Sequence, residues 1–212
     1  DWEEVTRLYN KTKMLFPNDW WIIADDDEFQ VYSKVITDIT KICDESGYDF
    51  VTGGFVDRIG RGGTFTEIND DTKLWDAFPM AGFFRYPLSG ACPNKVTMCK
   101  GYIEVTPGQH YAKINGETLW GQQLDNKNIA PVDKYYAQVH HFKWDSTCVE
   151  RIKAVADTKK EYAFSKEYLK MYQAIRSNNF EIDINNIEFM IENIGENQYT
   201  QWFELFQKIT LI

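Results

Sequence analysis

The chain has 212 residues, 43% of them hydrophobic and 16% aromatic, which is enough for the packed core of one domain and excludes a disordered chain. Its formal net charge of −9 disfavours nucleic acid and anionic membranes as partners, because both would be repelled at long range. We expect no membrane span, since no apolar run approaches the ~18 residues that a spanning helix needs.

The first quarter of the chain alternates helical and strand patterns. Apolar residues near helical spacing predict a helix over 2–16, and the short apolar run 20–24 predicts a buried strand. A second helix is predicted over 31–43 and a second strand over 50–56. This order predicts an α/β fold with a mainly parallel central sheet flanked by helices.

The middle of the chain, 57–144, is rich in Gly, Pro and aromatic residues. We expect it to extend the sheet with mixed or antiparallel strands and to contain a polar, mobile loop over 115–134. The short β-like runs lie at 81–86, 95–99, 101–106, 109–114 and 136–142.

The last third of the chain is predicted to be helical. Thr147 followed by Glu150 is a capping-box pattern, and helices are expected over 147–163, 165–177 and 197–210. These patterns divide the chain into a core, 1–150, and a C-terminal helical segment, 151–212, packed on that core.

The cysteines form no CxxC pair and show no zinc spacing. We expect reduced, mostly buried thiols, which are typical of a cytoplasmic protein. The four are Cys43, Cys92, Cys99 and Cys148.

Four consecutive acids, 25–28, follow the first predicted strand. Carboxylates packed this closely need either full solvation in a turn or a cation among them. Hard divalent ions such as Mg²⁺ and Mn²⁺ prefer carboxylate oxygen. In an extended segment Asp25 and Asp27 point to the same side and Asp26 points away. We therefore expect Asp25 and Asp27 to share a cation and Glu28 to orient these ligands without binding the cation itself.

The segment "DWWIIADDDEF" resembles the DxD segment of GT-A-type glycosyltransferases, especially the family 2-like group. The likeness continues more loosely in "FVDRIGRGGTF" (55–65), "NKVTMCKGYIEVTPGQH" (94–110) and "VHHFKWDS" (139–146), and it covers about residues 20–150. It implies a GT-A-like fold and a metal-dependent transfer of sugar from a UDP- or dTDP-linked donor to a hydroxyl acceptor on a glycan or glycoprotein.

In that group the DxD usually follows two or more strand–helix units that hold the nucleotide base, whereas about 20 residues precede it here. The resemblance therefore implies either that an N-terminal part, and further domains, belong to a longer chain or that the base is held in another way.

The resemblance also implies a histidine in the metal shell, because such enzymes complete it from a late strand. His141 and His110 are the candidates. His140 and His141 point to opposite faces of a strand, so at most one of these two faces the site.

The acceptor hydroxyl needs a base, and the diphosphate leaving group needs positive charge. Asp57 follows the second predicted strand and is the expected base or acceptor contact, with Asp76 and Glu67 as competitors. Arg58, Arg61 and Lys95, together with Asp25, are expected to bind the nucleotide sugar.

Two other classes of function remain open. A metal-dependent phosphoesterase would need more scattered ligands for two metal ions. A non-catalytic metal- or carbohydrate-binding module would use the acids to hold Ca²⁺, although no EF-hand spacing is present.

Overall fold

A computed structural model describes residues 2–83, 85–120, 123–159, 162, 164–186 and 190–192. The helix predicted over 197–210 lies outside the described residues. The helices are α1 (Trp2–Lys13), α2 (Ile36–Ser46), α3 (Leu74–Ala77), α4 (Arg85–Ser89), α5 (Val132–Tyr135), α6 (Cys148–Thr158) and α7 (Ser165–Ser177).

The strands alternate with these helices along the chain. They are β1 (Trp20–Ile22), β2 (Glu28–Val31), β3 (Phe50–Ile59), β4 (Met80–Gly82), β5 (Asn94–Lys100), β6 (Glu104–Val105), β7 (Ala112–Ile114), β8 (Glu117–Thr118), β9 (Ala137–His141) and β10 (Met190–Glu192).

The described residues form two compact units. The first unit contains the chain up to Phe55 together with Asn94–Val139, and the second contains Val56–Pro93 and the described residues from His140 onward. Strands β3 and β9 therefore each continue from one unit into the other.

In the first unit β5 lies between β1 and β3 and is antiparallel to both. A bulge interrupts the β3–β5 register between Val51 and Thr52. Strands β6, β7 and β8 form a separate antiparallel sheet. Helix α2 packs Ile39 and Cys43 against Val51 and Met98, which gives the sheet a buried apolar face.

In the second unit the end of β3 is antiparallel to β4, with Asp57 opposite Gly82, and β4 is antiparallel to β10. Helices α6 and α7 pack Ile152 and Met171 onto a core that contains Ile59 and Trp144. Of the site residues predicted from the sequence, Asp57 and Arg58 lie on β3 and His141 is the last residue of β9.

The predicted mainly parallel, GT-A-like sheet is wrong. Every strand pair whose register is described is antiparallel, and the parallel contacts described are two isolated bridges, Phe50–Ile129 and Thr66–Asp145. The sequence order of helix, strand, helix and strand suggested a largely parallel sheet. Strand β5 instead lies between β1 and β3, and local periodicity carries no information about which distant segment becomes a strand's partner.

Several individual elements agree with the prediction. Helix α7 spans the predicted 165–177, and β3 and β5 cover the runs predicted at 50–56 and 95–99. The loop predicted over 115–134 contains β8, a short 3₁₀ turn and α5. The domain boundary predicted at residue 150 stays a prediction.

Other elements differ in detail. The helix predicted from residue 31 begins at Ile36, because 28–31 form β2. Thr147 precedes α6 but makes no side-chain cap; instead Asp145 Oδ1 accepts both its N–H and its hydroxyl at 2.7 Å. Within the described part of the chain, no helix is both long and apolar enough to cross a membrane.

A substitution at Gly53 tests the close approach of β3 and β9 in the first unit. A Cβ at Gly53 would lie 2.3 Å from the backbone oxygen of Ala137. We expect Gly53→Ala to lower the free energy of unfolding by about 3 kcal/mol or more, because backbone atoms cannot yield to a methyl group. Urea denaturation measures the effect.

Gly90→Ala is the matched control, since Gly90 has a left-handed φ of +76° and open space around its Cβ position. It should cost only about 1–2 kcal/mol, from the backbone conformation alone. Equal losses in the two variants would contradict the close β3–β9 approach.

Candidate functional site

The four acids form a turn that joins β1 to β2. The N–H of Glu28 donates to the carbonyl of Asp25 at 3.2 Å. Asp26 is exposed, Asp25 and Asp27 are half-buried, and Glu28 is buried. The acids are therefore not in the extended conformation expected from sequence, although Asp26 does face solvent.

Lys95 of β5 lies beneath this turn and is 1% exposed. Its Nζ donates to Glu28 Oε1 at 2.7 Å and to Asp25 Oδ2 at 3.0 Å. Glu28 Oε2 also accepts the N–H of Asp25 at 3.2 Å. A buried lysine is tolerated only when its charge is matched in this way, so the ion pairs fix the turn onto β5.

Gln109 contacts the same turn from a 3₁₀ turn, Pro107–Gln109. Its Nε2 donates to Asp25 Oδ1 at 3.3 Å. Each oxygen of the Asp25 carboxylate thus has one protein donor, Lys95 on one side and Gln109 on the other. Sequence reasoning treated Asp25 and Lys95 as two separate contacts to a ligand, whereas the structure pairs them with each other.

Asp27 and Glu28 offer carboxylate oxygens within 4.8 Å of one another. A divalent ion with bonds of about 2.1–2.5 Å to oxygen can bridge such a pair. Carboxylate oxygens are hard donors, so the residues present fit Mg²⁺ or Mn²⁺ by their chemistry.

His110, a predicted metal ligand, is held by the backbone of β5. Its Nδ1 lies 2.8 Å from the carbonyl of Asn94, and the Asn94 side chain donates to the His110 carbonyl at 2.8 Å. A carbonyl only accepts, so Nδ1 carries a proton and donates this hydrogen bond. The ring lies over Gly108, where an added Cβ would come within 2.6 Å of Nε2.

Asp57 and His141, both in the second unit, are close together. Asp57 is 1% exposed and accepts from Trp144 Nε1 at 3.0 Å and from the N–H of Arg85 at 2.9 Å. His141 Nδ1 lies 3.4 Å from Asp57 Oδ1. Burial acts to raise the pKa of Asp57, but its interactions with His141, Trp144 and Arg85 outweigh burial, and the net pKa is lowered. This setting favours a role in positioning His141 over direct contact with an acceptor.

Arg58 is buried in the second unit against aromatic rings. Its guanidinium donates to the carbonyl of Phe78 at 2.7 Å and lies 4.9 Å from the centre of the Trp75 ring. Burial lowers the pKa of Arg58 to about 10. His140 meets the same Trp75 ring edge-on at 5.1 Å. These contacts describe packing in the core and give Arg58 no described phosphate-binding geometry.

The remaining predicted site residues of the second unit are exposed. Arg61 begins a 3₁₀ turn, Asp76 lies on the short helix α3, and Glu67 lies in the segment between them. Their roles as phosphate contact and as base stay predictions.

Sequence reasoning missed Gln109 and Trp144. Gln109 sits beside His110, and the preceding Pro-Gly pair signals a turn that could have drawn notice to it. Trp144 carried no signal, because an aromatic residue in this stretch is more often simply part of the core.

Comparison of the chain with protein-family models, with curated proteins and with solved structures found no match. The resemblance to GT-A-type glycosyltransferases therefore rests on the quoted segments alone.

The Lys95 ion pairs generate one prediction. Lys95→Met would leave the buried Glu28 carboxylate uncompensated, and we expect the free energy of unfolding to fall by about 3–5 kcal/mol at pH 7. Lys41→Met is the control, because Lys41 faces solvent 4.0 Å from Glu45 and should contribute about 0.5 kcal/mol or less. Chemical denaturation of both variants measures the difference, and equal small losses would contradict the buried pair.

His140 generates a second prediction. Burial first, and the charge of Arg58 second, lower the pKa of His140 to about 3, whereas an unfolded histidine titrates near 6.5. The unfolded state binds more protons between these values, so the stability that neutral His140 contributes is complete above pH 6.5 and is lost as pH falls toward 3. The loss should reach about 2 kcal/mol at pH 5.

Urea denaturation between pH 7.5 and pH 5 tests this expectation. His140→Gln should remove that part of the pH dependence, because glutamine does not titrate. An unchanged pH profile in the variant would show that His140 is not the group responsible.

Proposed function

We propose that the chain binds Mn²⁺ or Mg²⁺ at the Asp25–Glu28 turn and transfers a sugar from a UDP- or dTDP-linked donor to a hydroxyl acceptor on a glycan or glycoprotein. The observation that carries the proposal is the charge of this turn. Four acids are adjacent in sequence, and Lys95 pairs with two of them, Asp25 and Glu28. The carboxylates of Asp27 and Glu28 lie close enough together to bind one divalent cation.

The contacts divide the roles among the acids. Glu28 is 1% exposed and bound to Lys95, so it anchors the turn. Asp27 is half-buried at the turn, and its carboxylate lies close to that of Glu28, which supports Asp27 as the principal cation ligand. Asp25 is 28% exposed and fixed from two sides, which suits a carboxylate that accepts hydrogen bonds from a ligand hydroxyl.

A bound cation would supply a counter-charge for the diphosphate of the donor. The protein's own residues position the carboxylates of this turn. Lys95 holds Glu28 and Asp25 in place, and Gln109 orients Asp25, so the carboxylates are set before a ligand arrives. The resemblance in the quoted segments supports sugar transfer as the reaction; the antiparallel sheet offers it no support.

We also propose a cytoplasmic location. Cys43, Cys99 and Cys148 are free and buried, and Cys92 is free and half-buried, which agrees with a reducing compartment. Donor and acceptor identities come from the resemblance alone.

Thermal melting tests the proposal. Mn²⁺ together with a nucleoside diphosphate should raise Tm more than either alone, by about 5–10 °C at a hundredfold excess over Kd. If Ca²⁺ raises Tm and adding the nucleoside diphosphate changes Tm no further, the chain is instead a non-catalytic binding module. Hydrolysis of a phosphomonoester with no sugar transfer would identify a phosphoesterase.

Asp27→Asn should abolish metal-dependent turnover and the Mn²⁺-dependent rise in Tm, because the cation loses a charged ligand. Asp26→Asn removes the same charge one residue away, at an exposed position. It should leave turnover within about threefold of the wild type and should keep the Mn²⁺-dependent rise in Tm. A screen of donor hydrolysis across nucleotide sugars with Mn²⁺ measures turnover. Full activity in Asp27→Asn would overturn the assignment.

A further inference from the structure

Gln109 has a side-chain oxygen that the fold does not use. The residue is 3% exposed, and its Nε2 donates to Asp25 Oδ1 at 3.3 Å. Its Oε1 is buried and accepts no hydrogen bond from any described residue. Buried acceptors without a donor are rare in native proteins, and each one calls for an explanation.

A second buried glutamine in the same unit shows the usual arrangement. Gln123 is 2% exposed; its Oε1 accepts the N–H of Ala112 at 2.9 Å, and its Nε2 donates to Thr52 Oγ1 at 3.0 Å. Both ends of Gln123 are therefore used by the fold. Gln109 differs because its nitrogen donates a hydrogen bond to Asp25, whereas its oxygen accepts none from the described residues.

The orientation of the Gln109 amide follows from its neighbour. The Asp25 carboxylate accepts hydrogen bonds and cannot donate one, so the amide must turn its N–H₂ group toward Asp25. The oxygen then faces the other way. The Gln109 oxygen is thus an unused acceptor on the side of the amide that faces away from Asp25.

An unused acceptor close to Asp25 selects a ligand group that donates a hydrogen bond. A phosphate group offers only acceptor oxygens at neutral pH and would be repelled by Asp25. A sugar offers adjacent hydroxyl groups, each of which can donate one hydrogen bond.

We propose that Gln109 is a specificity-determining residue whose side-chain oxygen accepts a hydrogen bond from a hydroxyl group of the sugar or ribose that binds at Asp25. This inference rests on the proposed function and names the part of the ligand that this end of the site recognises.

A ligand can reach the buried oxygen only if the turn that carries Gln109 moves. Gln109 has a left-handed φ of 58° and follows Gly108, with φ 75°, in a turn whose first residue, Pro107, is exposed. A non-glycine residue in this conformation is strained. We expect a small shift of this turn to open the oxygen to a hydroxyl group and the new hydrogen bond to favour the opened form.

The test combines a change in the protein with a change in the ligand. Binding of UDP, 2′-deoxy-UDP, 3′-deoxy-UDP and UDP-glucose is measured by calorimetry with Mn²⁺ present, for the wild type, Gln109→Met and Gln123→Met. Methionine matches glutamine in length and removes the amide. UDP against its deoxy forms tests the ribose hydroxyls, and UDP-glucose against UDP tests the hydroxyls of the donor sugar.

We expect one hydroxyl to matter to the wild type and not to Gln109→Met. Its removal should weaken wild-type binding roughly tenfold or more, the usual effect of leaving a buried acceptor unpaired. Gln109→Met should bind the complete ligand as weakly as the wild type binds the ligand without that hydroxyl. Gln123→Met should keep the wild-type pattern.

The possible failures are distinct. If the wild type binds UDP but Gln109→Met shows the same sensitivity to every hydroxyl, the inference is overturned while the proposed function stands. If Gln109→Met weakens binding of Mn²⁺ alone, Gln109 acts through the cation site and the hydroxyl assignment is wrong. If the wild type binds neither these nucleotides nor dTDP-glucose, the proposed function fails and the inference fails with it.

A crystal of the wild type soaked with Mn²⁺ and the tightest-binding nucleotide gives a readout that needs no variant. We expect a ligand hydroxyl oxygen about 2.6–3.2 Å from Gln109 Oε1. An ordered water molecule in that place, with the ligand bound elsewhere on the turn, would overturn the inference.

Discussion

The ion pairs that Lys95 makes with Glu28 and Asp25 are the interaction on which the rest of the candidate site depends. They join a strand in the middle of the sheet to a turn that lies seventy residues earlier in the chain. Lys95 and Glu28 are each 1% exposed, so neither charge is stable there without the other. The turn is therefore held in one conformation by a buried charge pair, and the half-buried Asp25 and Asp27 take their places from it.

This constraint changes how the acidic run is understood. From the sequence, Asp26 is distinguished from Asp25 and Asp27 only because alternate side chains of an extended segment point to opposite sides. In the structure Glu28 is structural, Asp25 is fixed by Lys95 and Gln109, and Asp27 is the member best suited to bind a cation. The same burial argument applies in the second unit, where the enclosed Asp57 holds Trp144 and lies beside His141.

The parts of the fold that depend on local patterns were predictable. The helix over 165–177 and the strand that begins at residue 50 could both be predicted from their own sequences. Pairing was not predictable, because β5 reaches β1 and β3 from a distant part of the chain. The burial of Arg58 and Lys95 was not predictable either, since only the folded neighbours decide whether a basic side chain meets solvent, aromatic rings or carboxylates.

In the proposed function, the turn at Asp25–Glu28 holds a divalent cation at Asp27 while Lys95 stays paired with Glu28. The most direct measurement is anomalous diffraction from a crystal soaked in Mn²⁺. We expect one manganese peak about 2.2 Å from an Asp27 oxygen, with the ion pair between Lys95 and Glu28 intact. A turn that binds no manganese at millimolar concentration, or a peak that displaces Lys95 from Glu28, would contradict this expectation.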